Sequence, residues 1–556
     1  MVIKPVKKIG YYLAVAFLIL YFSSGHTSIA QEPDYRYFYR VYFTDKGDYK
    51  PENFSPSRLL SPKAIARRIK YGIKFPDYTD LPVYPPYINQ IRSLGLTLHN
   101  TSKWMNTALF KSITPAPVSV IESLPFVEGV RVVKAPSAKS VKPDKLELIQ
   151  GVNNEVPYDR QITMLEGNFL HDSGFDGTGV VIAVLDAGFS RANFLPCLDK
   201  LRARYGIRGT YDFVLNSKNV YSYHYHGTAV LSVLAGDVPG KIVGSAPGAN
   251  YWLFRTEDVY SEFPVEEDYW AAAAEYADSL GADIISTSLG YYVFDDPSMN
   301  YKFEDLNGMN AFITRVADIA VSKGIIVVAS AGNERDNEWL RIIAPSDGFK
   351  VICVGAVDQY CAISSFSSAG PSADGRIKPD NAAMGVDVTA QIDEKGYIKI
   401  SGTSFSCPIL SGMCACLLQA VPEASPSDII DVLHRCSDRA NNPDSLYGFG
   451  IPDMSKAIKM LQEKIMLKPG IEITAGPNPF TDHIDIYFRE PPYSPLSVEI
   501  YSSTGHLLYK KIITSRDYIS KTLRLNDLQI RNQGIYFLKI MTDNGTSVMK
   551  VVKIND

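Results

Sequence analysis

Between residues 180 and 358 the chain alternates short, wholly apolar runs with stretches of helical spacing. VVIAVLD (180–186), ADIISTSLG (282–290), GIIVVASAGN (324–333) and KVICVGAVD (350–358) are rich in β-branched residues and end in small or polar ones. EEDYWAAAAEYADSLG (266–281) and AFITRVADIAVSKG (311–324) repeat at helical spacing and stop at a glycine. Strands that are apolar at every position, interleaved with helices, predict a mainly parallel sheet covered by helices on both faces. Reactive groups in such a sheet gather at the carboxyl ends of the strands.

The pattern changes at both flanks. Residues 31–150 open with the strand-like YFYRVYFTDK and carry the basic helical stretch SPKAIARRIKYGI (61–73), with Ser61 as cap and Pro62 at the first helical position. The charged, weakly apolar PSAKSVKPDKLELIQGVNNEVP (136–157) reads as a linker open to proteolysis. Beyond KPGIEITAGPNPF (468–480) helical spacing disappears. HIDIYF, LSVEIYSS, HLLYKKII, KTLRL, GIYFLKIMTD and TSVMKVVKI predict a small all-β sandwich with turns at Thr504-Gly505 and Asn544-Gly545. The division expected is therefore 1–30, 31–150, 151–464 and 465–556. The first of these reads as an export signal: Lys4, Lys7 and Lys8, the apolar YYLAVAFLILYF (11–22), then small residues before Gln31. That apolar run is short for a membrane span, and no span is expected in the mature form.

Length and charge narrow the function. A chain of 556 residues is too long for one core. Lys+Arg 56 against Asp+Glu 60 leaves a net charge of -4, which excludes a strong positive field for nucleic acid. Of the seven cysteines, Cys353 and Cys361 are placed to meet across a strand pair, whereas Cys414 and Cys416 face apart on a helix and most act as small buried hydrophobes.

The candidate chemistry lies at the ends of these elements. Asp186 closes VVIAVLD. His226 opens a helix in YHGTAVLSVLAG (225–236), Asn333 follows a strand in SAGNE (330–334), and Ser404 stands at the helix start in SGTSFSCP (401–408). A serine hydroxyl becomes a nucleophile only with a base and an orienting acid, and free N–H groups at a helix start face developing negative charge. With AVLDAGF, HGTAV, SAGNE and SGTSFSCP in this order, residues 170–460 resemble the subtilisin-like serine endopeptidases, the subtilases. The resemblance implies a subtilisin-like α/β fold in which Ser404 attacks a peptide carbonyl, His226 carries the proton, Asp186 orients His226, and Asn333 with the Ser404 N–H holds the oxyanion. It further implies that Ser288, Leu289 and Gly290 in STSLGY, with Ala331 and Gly332, contact polypeptide substrate. Tyr291 stands where glycine is common in the family.

The flanks carry resemblances of their own. VYFTDK, LSPKAIARR, TDLPVYPPYI and SKWMNTALF are similar to pro-regions of Bacteroidetes-type subtilases, implying a small α+β domain that assists folding and blocks the cleft; a permanent substrate-binding module is the alternative. PNPFTDHIDI, VEIYSSTGHLLYKK, LNDL, GIYFLKI and KVVKI resemble the sorting domain of the type IX secretion system, implying the secretion machinery as partner and a secreted or surface location reached via the periplasm. No cofactor is required for this chemistry, and a structural calcium, frequent in the family, has no assigned ligands.

Several residues have plainer readings. His224 is expected to point away from His226 as a surface imidazole, and Ser401, Thr403 and Ser406 to satisfy local backbone or allow packing. Glu257, Asp258, Glu262, Glu266 and Glu267 read as a solvated face, with preference for basic substrates or a cation site as alternatives. GFDGTG (174–179) precedes its strand and is a turn. A catalytically inactive adhesin on the same scaffold, or an esterase or peptide ligase on the same residues, are the rival functions. The lack of a G-x-S-x-G elbow argues against an α/β-hydrolase.

Overall fold

The computed structural model describes residues 35–136, 146, 149–150, 156–466, 473–476, 478–488, 495–514, 522–526, 528–542 and 545–554. The export-signal reading of residues 1–30 and most of the linker reading lie outside them, as does Asn544 of the second turn pair.

Residues 35–136 build a four-stranded antiparallel sheet from β1 (Tyr37–Phe43), β2 (Thr97–Ser102), β3 (Thr107–Ser112) and β4 (Val127–Lys134), in the order β2-β3-β1-β4. Helix α1 (Pro62–Lys70) starts where the sequence predicts it, with the Ser61 side chain accepting from the Ala64 N–H at 3.3 Å. Its arginines are not a solvated patch. Arg67 and Arg68 are buried and pair with Asp278 in the next domain, Arg68 at 2.6 Å.

The short strand β5 (Ile149–Gln150) falls within the stretch read as linker. The central domain then forms β6 (Val181–Asp186), β7 (Ile207–Asp212), helix α2 (His226–Ala235), β8 (Asn250–Arg255), α3 (Val265–Leu280), β9 (Ile284–Thr287), α4 (Phe312–Ser322), β10 (Ile326–Ser330), β11 (Ile352–Val357), β12 (Asn381–Met384), β13 (Val388–Asp393), β14 (Gly396–Ser401), α5 (Thr403–Ala420), α6 (Pro426–Cys436) and α7 (Met454–Met466). Seven parallel strands follow the order β12-β11-β10-β9-β6-β8-β7. In the central strands alternate residues serve opposite cores. Ile182 and Val184 join the core containing α2 and α5, while Val181, Ala183 and Leu185 join the one containing α3 and α4. Since β8 lies on one side of β6 and β9 on the other, the strand order reverses at β6, and a crevice opens beyond its carboxyl end.

Strands β13 and β14 form a hairpin beside this sheet, and β5 pairs antiparallel with β14 through Ile149 opposite Ser401 and Gln150 opposite Ile400. The last described residues form β15 (Ile473–Gly476), β16 (Ile484–Phe488), β17 (Leu496–Ser502), β18 (Leu507–Ile513), β19 (Thr522–Leu525), β20 (Gly534–Thr542) and β21 (Gly545–Lys553). They make two antiparallel sheets, β15-β16-β19 and β18-β17-β20-β21, closed over one apolar core. All seven cysteines are free, so the pairing of Cys353 with Cys361 does not occur. Cys353 is buried in β11, and burial pushes its thiol up to about 12.

The β1–β4 sheet packs on α3, with Phe38, Trp104, Leu109 and Val133 sharing the core of that face. Buried charge fixes its orientation. Arg40, fully buried, donates to both oxygens of Asp268 at 2.8 and 2.7 Å and lies 3.4 Å over the Phe312 ring. Glu275 accepts from the Ser102 hydroxyl at 2.5 Å and from the backbone of Lys103 and Trp104 at 2.9 and 3.0 Å. Such pairs specify one docking geometry, because a displaced partner would leave its charge buried and uncompensated.

Candidate active site

Asp186 is the last residue of β6 and wholly buried. Its backbone carbonyl accepts from the Thr256 N–H at 3.0 Å, and one carboxylate oxygen, Oδ1, accepts from the Ala187 N–H at 2.7 Å. The same Oδ1 lies 2.8 Å from Nδ1 of His226. His226 comes this close because the next residue is a glycine. A Cβ on Gly227 would sit 2.5 Å from the Gly188 carbonyl oxygen and 2.9 Å from the Asp186 Cβ. Arg255, paired with Asp212 at 2.9 Å, donates to the Ala187 carbonyl at 3.2 Å and stacks 4.0 Å over Tyr223, tying the two loops together.

His224 departs from the expectation of a surface imidazole. It is half-buried, its ring centroid lies 6.5 Å from that of His226, and its Nδ1 accepts from the His226 N–H at 3.2 Å. That N–H belongs to the first turn of α2, where no intrahelical partner exists. The His224 carbonyl also accepts from the Ser190 N–H at 3.1 Å. Sequence reasoning missed this role because a side chain two residues before a helix can curl back only if the local turn permits it.

Ser404 stands in the first turn of α5, after Gly402, whose φ of 147° favours glycine. Pro408 lies one turn on and lacks the N–H that would bond the Ser404 carbonyl. The Ser288 hydroxyl takes that place, donating to the Ser404 oxygen at 2.8 Å, while the Ser404 Oγ reaches the Ser288 carbonyl at 3.4 Å. Phe405, next to Ser404, brings its ring to 5.9 Å from that of His226, so the start of α5 abuts the start of α2.

Asn333 is held by Thr403, whose N–H and hydroxyl both reach Asn333 Oδ1 at 2.9 Å. Two donors on the oxygen leave the Nδ2 end of the amide to donate elsewhere. Thr403 thus reaches beyond its local backbone, whereas Ser406 bonds the Thr403 carbonyl at 3.0 Å as its small size allows.

Ser404, Thr403, Asn333, Gly332, Ser288, Leu289 and Gly290 line one cavity of about 250 Å³. Ala331 does not line it; its side chain packs against Ile342 and Cys353 beneath. Tyr291 is turned inward, where burial and the neighbouring Glu257 carboxylate push its phenol well above the ordinary value, and it donates to Glu257 at 2.7 Å. The acidic run is no solvated face. Glu257 and Glu266 are buried, Glu257 and Glu262 line the same cavity, and ligand oxygens of Glu257, Glu262 and Glu266 lie within 4.8 Å of one another. Leu146, from the tail of the first unit, lines this cavity too, and β5 pairs with the strand leading into Ser404.

Three segments match known families: residues 177–450 the subtilase family, residues 38–147 the peptidase S8 propeptide domain of Bacteroidota, and residues 476–555 the secretion system C-terminal sorting domain. Among curated proteins, subtilisin E of Bacillus subtilis is 28% identical over 327 residues, covering 58% of this chain and 76% of its own length. The serine protease AprX of the same species is 28% identical over 316 residues, 51% of this chain and 66% of its own. Subtilisin-like protease SBT6.1 of Arabidopsis thaliana is 30% identical over 279 residues, which is 49% of this chain but only 24% of the plant protein.

Proposed function

Through residues 177–450 this chain belongs to the subtilase family of serine endopeptidases, and on that premise we propose that it is a precursor-encoded endopeptidase acting through Asp186, His226, Ser404 and Asn333. The chain also carries a subtilase propeptide domain and a secretion sorting domain, which implies a secreted or cell-surface protein. The observation that carries the reading is the 2.8 Å contact between Asp186 Oδ1 and His226 Nδ1 at the point where the strand order reverses, beside the helix start that bears Ser404.

The carboxylate holds the imidazole with Nδ1 protonated, leaving Nε2 as the base. Nε2 takes the Ser404 hydroxyl proton as Oγ attacks the peptide carbonyl, and the carbonyl π electrons move onto oxygen. Asn333 Nδ2 and the Ser404 N–H donate to that oxyanion. Collapse expels the amine, protonated by His226, and leaves an acyl-serine. Water, deprotonated by the same imidazole, releases the acid and restores Ser404. Calcium enters this reading only as a structural ion, since side chains of the chain carry every proton and charge in these steps.

Before maturation, the placement of Leu146 in the cavity and of β5 on β14 supports a pro-region that occupies the cleft. The export-signal pattern of residues 1–30, for the inner membrane, and the C-terminal sorting domain, for a type IX-like apparatus, support export by that route. Covalent labelling by a fluorophosphonate is the test. Labelling of Ser404 after the pro-region is removed, abolished in Ser404→Ala, is expected; an unlabelled chain that still binds surfaces would instead be the adhesin.

A further inference from the structure

Resting on the reading of Ser404 as nucleophile, we propose that the cleft selects polypeptides bearing a basic side chain beside the scissile bond, with Glu257, Glu262 and Glu334 as the recognising carboxylates. These three line the cavity that also holds Ser404 and Asn333, so a side chain lodged among them lies next to the reacting carbonyl.

The carboxylates are held in place. Tyr291 and Tyr292, consecutive in the chain, donate to Glu257 at 2.7 Å and to Glu334 at 2.5 Å. Glu266 spends its oxygens on the backbone N–H groups of Asp258 and Phe263, at 2.8 and 3.3 Å. Those bonds curl the 257–263 loop so that Glu257 and Glu262 face one space. A carboxylate accepts through several positions, and the phenol on Glu257, with the phenol and the Asn337 amide on Glu334, orients these groups towards the cavity they line.

The cavity already receives polypeptide, through Leu146. In sequence, the segment leading to Leu146 is basic, with Lys139, Lys142 and Lys145. A cation leaving water for this site regains its lost hydration through charge-assisted hydrogen bonds, whereas an acidic side chain would add like charge to a negative wall. Divalent cations are the other ligand that such carboxylates accept.

The test uses the mature secreted protein and a peptide series differing only in Arg, Lys, Gln or Glu at each position N-terminal to the cleaved bond. At one position kcat/KM for Arg or Lys should exceed that for Gln by about ten-fold or more, with Glu slower still. The preference should shrink with added salt. Glu262→Gln and Glu334→Gln, at half-exposed positions, should each reduce the Arg-to-Gln ratio even if Glu257→Gln fails to fold. Ratios near one at every position overturn the proposal. So does calcium binding to the three glutamates with equal turnover of Arg and Gln peptides. If no peptide is hydrolysed, the nucleophile reading is what has failed; calorimetric binding of the Arg and Gln peptides to the secreted chain then decides the charge preference by itself.

Discussion

The Ser288 hydroxyl donates to the Ser404 carbonyl at 2.8 Å, in the place where Pro408 leaves the helix without an N–H. Ser288, which lines the same cavity as Ser404, thereby sets the first turn of the helix that bears Ser404. Ser288 is 3% exposed, so Ser288→Ala orphans a buried acceptor, which costs about 1–3 kcal/mol. Thermal unfolding should show the loss, and kcat should fall with it as Ser404 shifts.

Asp186→Asn keeps the shape at the end of β6 but presents an amide to His226. It favours the wrong tautomer, and kcat should drop by about 10⁴-fold. Steady-state kinetics and slower fluorophosphonate labelling both report it. A variant retaining more than a tenth of wild-type kcat would remove Asp186 from the mechanism.

Asn333→Ala removes one side-chain donor, and with it the acceptor of the Thr403 N–H and hydroxyl, while keeping the Ser404 and His226 side chains. The expected loss in kcat is about 10²- to 10³-fold, the size known for the corresponding donor of subtilisin, with KM little changed. An equal loss shared between kcat and KM would point to ground-state binding.

On the proposed mechanism His224 works through the bond that its Nδ1 accepts from the His226 N–H, and not on substrate. His224→Phe leaves the His226 N–H without its acceptor, so kcat should decline while KM holds. His224→Asn, whose side-chain oxygen can accept the same bond, should recover most of the rate. Equal effects of Phe and Asn would reduce His224 to packing.

His99 gives the pro-region contact a pH dependence. It is 9% exposed, its Nε2 lies 2.9 Å from the Phe213 carbonyl oxygen, and burial lowers its pKa to about 4. In the free pro-region an ordinary imidazole titrates near 6.5, so docking requires the neutral form. The favourable contribution is complete above about 6.5, and affinity should weaken by up to ten-fold per pH unit as pH falls from there towards 4. Asp268 and Glu275, both raised by burial, take up protons in the complex and work in the opposite direction. Inhibition constants of added pro-region for wild type and His99→Leu therefore isolate the imidazole. Identical pH profiles would exclude it.

Much of the site was legible because its signals are local. A strand that is apolar at every position advertises burial on both faces, so the polar Asp186 at its end stands out. Gly227 after His226 and Gly402 before Ser404 mark places where backbone must pass closely or turn in a way other residues resist. What escaped was long-range. Arg67 and Arg68 form a basic stretch in sequence, and nothing within α1 says that Asp278 waits some 210 positions away. Glu257 and Glu266 counted as surface charge until the fold closed Tyr291 over one and backbone N–H groups over the other. Ala331 was assigned to the cleft with its neighbours, but strand alternation turns it beneath. The pairing of β5 with β14 has no periodicity, because two residues are too few to show one.

That short pairing bears on kinetics. On the proposed mechanism, with Leu146 in the cavity and Ile149–Gln150 paired to the strand that leads into Ser404, the first bond presented to the enzyme arrives on its own covalent tether. Encounter by diffusion drops out, and effective molarity takes its place. Processing should then follow a half-life indifferent to dilution, letting single precursor molecules ripen alone even where they are too sparse to meet.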